Sequence, residues 1–291
     1  LAVSLSICET AFADNAAVLP FANRTAVEDP AQASLDWLGE SIAETVRDAI
    51  AARGVITLSR TETGEAYRQL SLRPLGLLTR ASVLKIGERL DAEQVVYGSF
   101  EFAPDPAAAH GVKAGSLKIS ARIFDRRRFR QSAEFLETGN LEDLAALEAH
   151  LAWRALALLA PQLAPPESEF RSLRPPVRLD AEENYIRGLL ARVPEQQERF
   201  FLQAARLDAR FGHPNYELGK IHYDRKEYRQ AADWLQKVSP DDIHYREASF
   251  LLGLALFQAG DFAGAQKAFQ DVADVVPLSE VYNNLGASQN R

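Results

Sequence analysis

The chain has 291 residues, of which 47% are hydrophobic and 25% are charged, a composition typical of a globular protein. Its length has room for about two domains. The net charge of −7 at pH 7 disfavours nucleic acid or an acidic membrane surface as the main partner. No run approaches the ~18 apolar residues needed to span a bilayer.

The chain begins with an apolar segment, LAVSLSICETAFA, which ends in the small-x-small pattern Ala11-Phe12-Ala13. A signal peptidase cuts after such a pattern, so we expect residues 1–13 to be the remnant of a signal peptide and the protein to be periplasmic or secreted. The basic segment that opens such a signal is absent, and the alternative is a cytoplasmic protein whose start is disordered or forms a strand. Cys8 is the only cysteine, and the bulk of Ile7 before it disfavours a lipid anchor.

Residues 14–160 alternate strand and helix patterns, which predict a mixed α+β domain. The apolar run at 16–21 predicts a strand, and Ser34 suits the N-cap of the helix that follows. The apolar stripe of this helix has the expected spacing and consists of Leu35, Leu38, Ile42, Val46, Ala49 and Ile50. Glu40 and Glu44 lie opposite the stripe, so we expect both carboxylates to be solvated.

The second half of this domain is predicted from similar patterns. After Gly54, residues 55–59 predict a strand, whereas 62–70 and 80–90 are expected to be helical. The next three strands are predicted by β-branched, aromatic or alternating residues at 93–102, 116–124 and 130–139. A long helix capped by Asn140 completes the domain.

Four segments of this region resemble the amino-terminal domain of the periplasmic protein family of TolB. They are 18–23 (VLPFAN), 37–42 (WLGESI), 90–99 (LDAEQVVYGS) and the alternating strand that ends at Asp125. The resemblance implies a fold and a tendency to bind proteins near the cell envelope. That family has no catalytic residues to carry over, and the propeller that follows its domain in TolB does not occur in this chain.

Beyond this domain, residues 161–180 contain five prolines and little periodicity, which predicts a semi-rigid linker. A helix-pair pattern with a period of 34 residues then covers 181–291. Its copies are a degenerate first repeat at 181–211, clear repeats at 212–245 and 246–279, and the start of a fourth. Because three or more stacked units are usually needed for stability, we expect the natural protein to continue.

The period of 34, with small residues where two helices cross, resembles the tetratricopeptide repeat (TPR). The fold class expected for the whole chain is therefore α+β, with a mixed-sheet domain followed by an all-α TPR solenoid. In that family the first helix of each repeat lines a concave groove. The positions that match are His213, Tyr216, Lys220, Tyr223, Glu247, Phe250, Leu254, Phe257, Glu280, Asn283 and Ala287.

Aromatic groups on a rigid concave surface are typical binding hot spots. The alternative for Phe250 and Phe257 is that they fill the space between repeats. The set lacks the Lys/Asn combination with which related domains clamp a peptide carboxylate, so the resemblance does not favour a C-terminal peptide as the ligand.

The sequence offers little support for catalysis or cofactors. The five histidines show no metal-ligand spacing, Gly98-Ser99 lacks the rest of a nucleophile elbow, and no glycine-rich phosphate loop occurs. We therefore expect no enzyme, no metal and no cofactor. The densest cluster of like charge consists of Arg126, Arg127, Arg128 and Arg130. The pattern predicts a hairpin turn whose arginines are solvated. The alternative is that these arginines contact an anionic partner.

These observations predict a non-enzymatic scaffold protein of the bacterial cell envelope that binds a peptide or protein segment in its TPR groove. Two alternatives stay open. The first is a regulatory module of a larger signalling protein that carries a cyclase or a transcription regulator. The second is an assembly subunit that forms homo-oligomers. The sequence does not specify the partner.

Overall fold

The computed structural model describes residues 15–25, 35–106, 114–172, 176–275 and 279–289. It divides into two compact units, Leu1–Arg174 and Pro175–Arg291. The predicted signal remnant and the predicted cap at Ser34 lie outside the described residues. No helix in the described ranges has both the length and the apolar character that crossing a membrane requires.

The described part of the first unit contains a six-stranded mixed sheet. Its strands are β1 (Ala16–Val18), β2 (Ala22–Asn23), β3 (Gln94–Pro104), β4 (Gly115–Asp125), β5 (Arg130–Gln131) and β6 (Phe135–Asn140). Strands β1 and β2 run parallel to β3, whereas β4 is antiparallel to β3, and β5 and β6 are antiparallel to β4. The β3–β4 ladder, which joins Gln94 to Asp125 and Pro104 to Gly115, forms the centre of the sheet.

Helices pack on the sheet where its strands present buried apolar side chains. The helices of this unit are α1 (Trp37–Ala51), α2 (Arg60–Gln69), α3 (Arg80–Arg89), α4 (Leu144–Leu159) and α5 (Glu167–Ser172). Ala17 and Val95 pack against Tyr67 of α2 and Ile86 of α3. Val18 points to the opposite face and is also fully buried, while α1 and α4 contact each other and the sheet. The unit is therefore a mixed α/β structure.

Four local predictions differ from the structure. The long helix is not capped by the Asn140 side chain, because a 3-10 turn at Leu141–Asp143 follows Asn140 and α4 begins only at Leu144. The strand predicted at 55–59 is wrong: only Thr57 forms a bridge, to Ala16, and Ile56 is exposed. The strand predicted at 130–139 is split into β5 and β6, because the hydroxyl of Ser132 accepts the backbone N–H of Ile123 at 3.0 Å in place of a ladder bond.

The segment expected to be a linker also contains secondary structure. A 3-10 turn occupies Pro161–Leu163, and α5 follows at Glu167–Ser172. Phe170 of α5 is buried, and the indole N–H of Trp153 donates to the carbonyl of Pro165 at 2.9 Å. These contacts attach the first part of the proline-rich segment to α4, so it is packed on the first unit.

The second unit is built from helices alone over its described residues. They are α6 (Leu179–Leu190), α7 (Pro194–Leu207), α8 (His213–Asp224), α9 (Tyr228–Leu235), α10 (Tyr245–Ala259), α11 (Phe262–Ala273) and α12 (Ser279–Gln289). Helices α6 and α7, α8 and α9, and α10 and α11 form hairpins, and each hairpin contacts the next helix in sequence. The tight turn between α10 and α11 uses Gly260, whose φ of 84° suits glycine. Asp261 then caps α11 by accepting the N–H of Gly264 at 2.9 Å.

Candidate functional site

The residues predicted to line a groove lie on three neighbouring helices. Helix α8 contacts α10, and α10 contacts α12. Spacings of three, four and three residues place the side chains of each helix on one side of it. We call the surface formed by these side chains the first-helix face. Its described members are His213, Tyr216, Lys220, Tyr223, Glu247, Phe250, Leu254, Phe257, Glu280, Asn283 and Ala287.

Tyr216 is held on α8 by contacts on its ring. The imidazole of His244 stacks on this ring, with 4.9 Å between centroids and 15° between planes. The ammonium of Lys220 lies 5.1 Å from the ring centroid and also pairs with Glu217 at 2.9 Å. Burial, with smaller contributions from the carboxylates of Glu217 and Glu247, raises the pKa of the Tyr216 phenol to about 12. The face therefore presents a partly buried, oriented and neutral phenol.

His244 was not among the sequence candidates because it lies outside the helical periodicity. It occupies the N-cap position of α10, and its backbone N–H donates to Asp242 at 2.9 Å. Its ring also lies 4.9 Å from that of His213, which pairs with Asp242 at 3.6 Å. The sequence contains one signal that could have indicated His244. This residue lies just after the turn at Pro240-Asp241-Asp242 and one residue before α10.

Other aromatic members of the face contribute to packing inside the hairpins. Phe250 lies 5.8 Å from Phe269 in an edge-on arrangement, and Phe257 lies 5.3 Å from Phe262. Both belong, together with Leu254, to the cluster around Phe269. These contacts favour the alternative in which Phe250 and Phe257 fill space between helices, and they leave each side chain only partly accessible.

The polar members of the face are the more accessible ones. Glu247 and Asn283 are exposed, and 43% of the Lys220 side chain is accessible. The structure thus brings together an oriented aromatic ring, a cation and a carboxylate on α8 and α10. Such a surface can cover an apolar or aromatic side chain and pair with a charge beside it.

The arginine cluster of the first unit is placed on the turn between β4 and β5. Arg126 donates to the carbonyl of Ala92 and to Asp91, both at 2.8 Å, and Arg127 pairs with Glu93. Arg128 lies 3.6 Å from Asp125. Three of the four guanidinium groups are therefore paired within the chain, whereas Arg130 is exposed in β5. The predicted contact of these arginines with an anionic partner stays a prediction, and the ion pairs within the chain disfavour it.

Two carboxylates of α1 were assigned wrongly from the sequence. Glu44 was expected to be solvated, yet its side chain is 14% exposed and pairs with Arg47. Glu40 was expected to be solvated, yet its side chain is 5% exposed and accepts the Nε–H of Arg60 at 2.9 Å. Arg60 belongs to α2, so helix periodicity within α1 could not show this partner. Burial and then the Glu40 carboxylate raise the pKa of the Tyr67 phenol. This cluster ties α1 to α2 and belongs to the architecture of the first unit.

The described residues define a two-unit protein with a mixed α/β unit and a helical-hairpin unit that carries a partly buried aromatic face. No protein-family model matches the chain, and no curated protein matches it. Three similar solved structures are the LpoB C-terminal domain from Escherichia coli, lipoprotein GNA1162 from Neisseria meningitidis and the hypothetical protein CT253 from Chlamydia trachomatis.

These three structures overlap the chain only in part. The LpoB domain is 22% identical, covering 44% of this chain and 82% of that one, with a TM-score of 0.29. GNA1162 is 11% identical, covering 51% and 99%, with a TM-score of 0.33. CT253 is 18% identical, covering 60% and 97%, with a TM-score of 0.28. At TM-scores this low, the overlaps carry no argument about function.

Proposed function

We propose that this protein is a non-enzymatic scaffold that binds a peptide or protein segment on the first-helix face. The observation that carries the proposal is the ring of Tyr216, oriented by His244 and Lys220 on α8. An aromatic side chain that is already fixed loses little entropy when a partner covers it. Such residues dominate the binding energy of many interfaces.

The second unit is proposed to be a TPR solenoid. Its period of 34 residues places Gly219 and Gly253 at equivalent positions, and each packs against a large side chain of the helix that follows. Hairpins repeated in this way bury one face against their neighbours and leave the first helices side by side. This arrangement supports an extended binding surface that crosses α8, α10 and α12.

The charges on the first-helix face suit a partner segment that carries both charged and apolar side chains. The exposed carboxylate of Glu247 suits a basic group of the partner, whereas Lys220, already paired with Glu217, contributes its stem and a shared charge. An apolar or aromatic partner side chain would cover Tyr216 between these two charges. Lys220 and Glu247 would thereby set the direction in which the segment lies.

The cellular location belongs to the same proposal. The small-x-small pattern at residues 11–13 and the TolB-like segments of the first unit support a protein exported to the periplasm. The acidic balance of the chain favours a protein partner there over an anionic membrane surface. The first unit, in which Arg126, Arg127 and Arg128 are paired within the chain, would then serve as a second platform for envelope proteins.

The proposal is tested by selecting binding peptides from a displayed random library against the full chain. The affinity of the strongest peptide is then measured for Tyr216→Leu and Lys220→Glu. Each variant is expected to weaken binding by about tenfold or more, because each removes a central contact of the interface. Far-UV circular dichroism confirms that both variants are folded.

Lys267→Glu is the matched control, since Lys267 is an exposed lysine on α11, outside the first-helix face. Its affinity for the selected peptide should equal that of the unchanged chain. If both face variants bind as tightly as this control, the first-helix face is not the binding site and the proposal is wrong.

A further inference from the structure

The imidazole of His150 lies between two carboxylates of the first unit. Its Nδ1 atom is 2.7 Å from Oε2 of Glu137 on β6, and its Nε2 atom is 3.8 Å from Oε1 of Glu167, the first residue of α5. The Glu137 side chain is 9% exposed, whereas that of Glu167 is 35% exposed. Since His150 belongs to α4, its ring connects a strand and two helices.

In its neutral form the imidazole bonds only one of the two carboxylates. An ionised carboxylate accepts hydrogen bonds and donates none, so the contact with Glu137 places the proton of the neutral ring on Nδ1. The Nε2 atom then carries a lone pair and faces Glu167 without a bond, because 3.8 Å exceeds the length of a hydrogen bond. Protonation adds an N–H at Nε2, and this group can donate to Glu167 after a small rotation of the glutamate side chain.

The other groups around the imidazole are an indole and two guanidinium groups. The ring of Trp153 stacks on the imidazole, with 5.9 Å between centroids and 10° between planes, and an aromatic face attracts a cation. Arg154 pairs with Glu137 at 2.8 Å, and Arg171 pairs with Glu167. Each arginine weakens the attraction of its carboxylate for the imidazolium, so the gain from protonation is that of a partly exposed ion pair.

Two further contacts attach α5 and the residues before it to the first unit. Phe170 is buried, and the indole N–H of Trp153 donates to the carbonyl of Pro165 at 2.9 Å. Neither contact contains a group that titrates near neutral pH. Helix α5 precedes the second unit, whose first helix α6 begins at Leu179. The attachment of α5 therefore determines how much of the proline-rich segment the first unit retains.

We propose that His150 is a pH-dependent latch for α5. At alkaline pH the imidazole bonds Glu137 alone, and α5 is held by Phe170 and by the bond to Pro165. As the pH falls from about 8 to about 5, the range in which an imidazole gains a proton, the imidazolium bonds both Glu137 and Glu167. Because the second bond exists only while α5 is in place, acid strengthens the attachment of α5, and this contribution is lost as the pH rises. The latch acts on the segment between α4 and α6 and does not depend on binding at the first-helix face.

Amide hydrogen exchange at Phe170 measures the latch. The N–H of this residue donates to the carbonyl of Pro166 at 3.0 Å, so it exchanges when α5 opens. After correction for the intrinsic exchange rate, we expect its protection in the full chain to be about two- to fivefold higher at about pH 5.5 than at about pH 7.5, as for a partly exposed ion pair. Glutamates stay largely ionised over this interval, whereas an imidazole changes its charge.

Three variants of the full chain separate the latch from a general effect of pH. His150→Gln and Glu167→Gln each remove one partner, so the protection of Phe170 should be equal at the two pH values. Glu167→Gln also removes the partner of Arg171, but a guanidinium stays charged at both pH values, so this loss does not depend on pH. Glu169→Gln is the matched control, because it makes the same change at an exposed position of α5 and should keep the pH dependence of the unchanged chain.

Three outcomes overturn the proposal. The first is protection of Phe170 in the unchanged chain that is equal at the two pH values or lower in acid. The second is a pH dependence that persists in His150→Gln or in Glu167→Gln, because another group would then be responsible. The third is loss of the pH dependence in Glu169→Gln, which would indicate that the overall charge of α5, and not its contact with His150, determines the protection.

Discussion

Gly253 lies directly under the ring of Phe269, so close that a Cβ on the glycine would approach the ring to 2.6 Å. The ring is fully buried and also contacts Phe250 edge-on at 5.8 Å. It therefore has little freedom to move aside. The crossing of α10 over α11 depends on the missing side chain at this glycine.

We expect Gly253→Ala to lower the free energy of unfolding of the second unit by about 1–3 kcal/mol, the usual cost of overpacking a core. This cost exceeds the gain in helix propensity from glycine to alanine, which is at most about 1 kcal/mol. Urea unfolding followed by circular dichroism measures the change.

Gly286→Ala is the matched control, because the added methyl group meets no described atom. In that variant the change in helix propensity is the only effect expected, and the free energy of unfolding should rise by about 0.5–1 kcal/mol. Equal effects of the two substitutions would show that the contact between Gly253 and Phe269 does not constrain the hairpin.

The Tyr216 phenol gives a prediction about pH. Its pKa is raised from the ordinary value of 10.0 to about 12, chiefly by burial. The folded state then holds this proton more tightly than the unfolded state, so the stabilising contribution is complete below pH 10 and is lost as the pH rises towards 12. Absorbance titration of phenolate should show a late transition that is missing in Tyr216→Phe. A transition near the ordinary value would mean that the ring is solvated and not held by His244.

The helical unit shows what a periodic sequence can reveal. Gly219 and Gly253 are 34 residues apart, and so are Leu235 and Phe269, which pack on them. The pattern repeats because the two helices of each hairpin pack through the same contact of a glycine with a large side chain. Accessibility was harder to predict. Phe250 and Tyr216 hold equivalent positions, yet Phe250 packs on Phe269 whereas Tyr216 is covered by His244 from outside the repeat pattern.

In the first unit, β-branched and aromatic residues indicated β3, and alternation indicated β4, because successive side chains of a strand point to opposite faces. In β4 the apolar members Leu117 and Ile119 are buried, whereas Lys118 between them is exposed. The buried ionic cluster could not be predicted from this pattern. Glu40 lies opposite the apolar stripe of α1, and only the position of α2 in three dimensions brings Arg60 to it. A helix that is covered on more than one side has no solvated face to assign.

Removal of the Glu40 carboxylate should therefore be costly. Glu40→Ala leaves Arg60 without its partner and opens a space beside Tyr67, and we expect a loss of about 1–3 kcal/mol in the free energy of unfolding. Glu65→Ala is the control, since the Glu65–Arg68 pair is exposed and such pairs contribute at most about 1 kcal/mol. Denaturant unfolding measures both variants. A loss no larger than in the control would place Glu40 in solvent, as the sequence pattern indicated.

The helix cap at the N-terminus of α2 includes a carboxylate, so the stability that it contributes should depend on pH. The cap of α3 has no carboxylate and serves as a comparison. Ser59 forms a capping box: its hydroxyl accepts the N–H of Glu62 at 3.2 Å, and the Glu62 carboxylate accepts the Ser59 N–H at 2.7 Å. The bond to the Ser59 hydroxyl is the main cause that lowers the pKa of Glu62 from its ordinary value of 4.5, followed by the bond to the backbone. Glu62 therefore contributes stability above that value, which is lost as the pH falls and the carboxylate is protonated.

We expect Ser59→Ala to cost about 0.5–2 kcal/mol at neutral pH and clearly less in acid, where the carboxylate no longer accepts these bonds. Thr79 caps α3 in the same way, accepting the N–H of Ser82 at 3.2 Å, but its partner is a hydroxyl that does not titrate in this range. The cost of Thr79→Ala should therefore stay constant between neutral and acidic pH. Urea unfolding at the two pH values measures both differences, and an equal pH dependence for the two variants would contradict a role for the Glu62 charge in the cap.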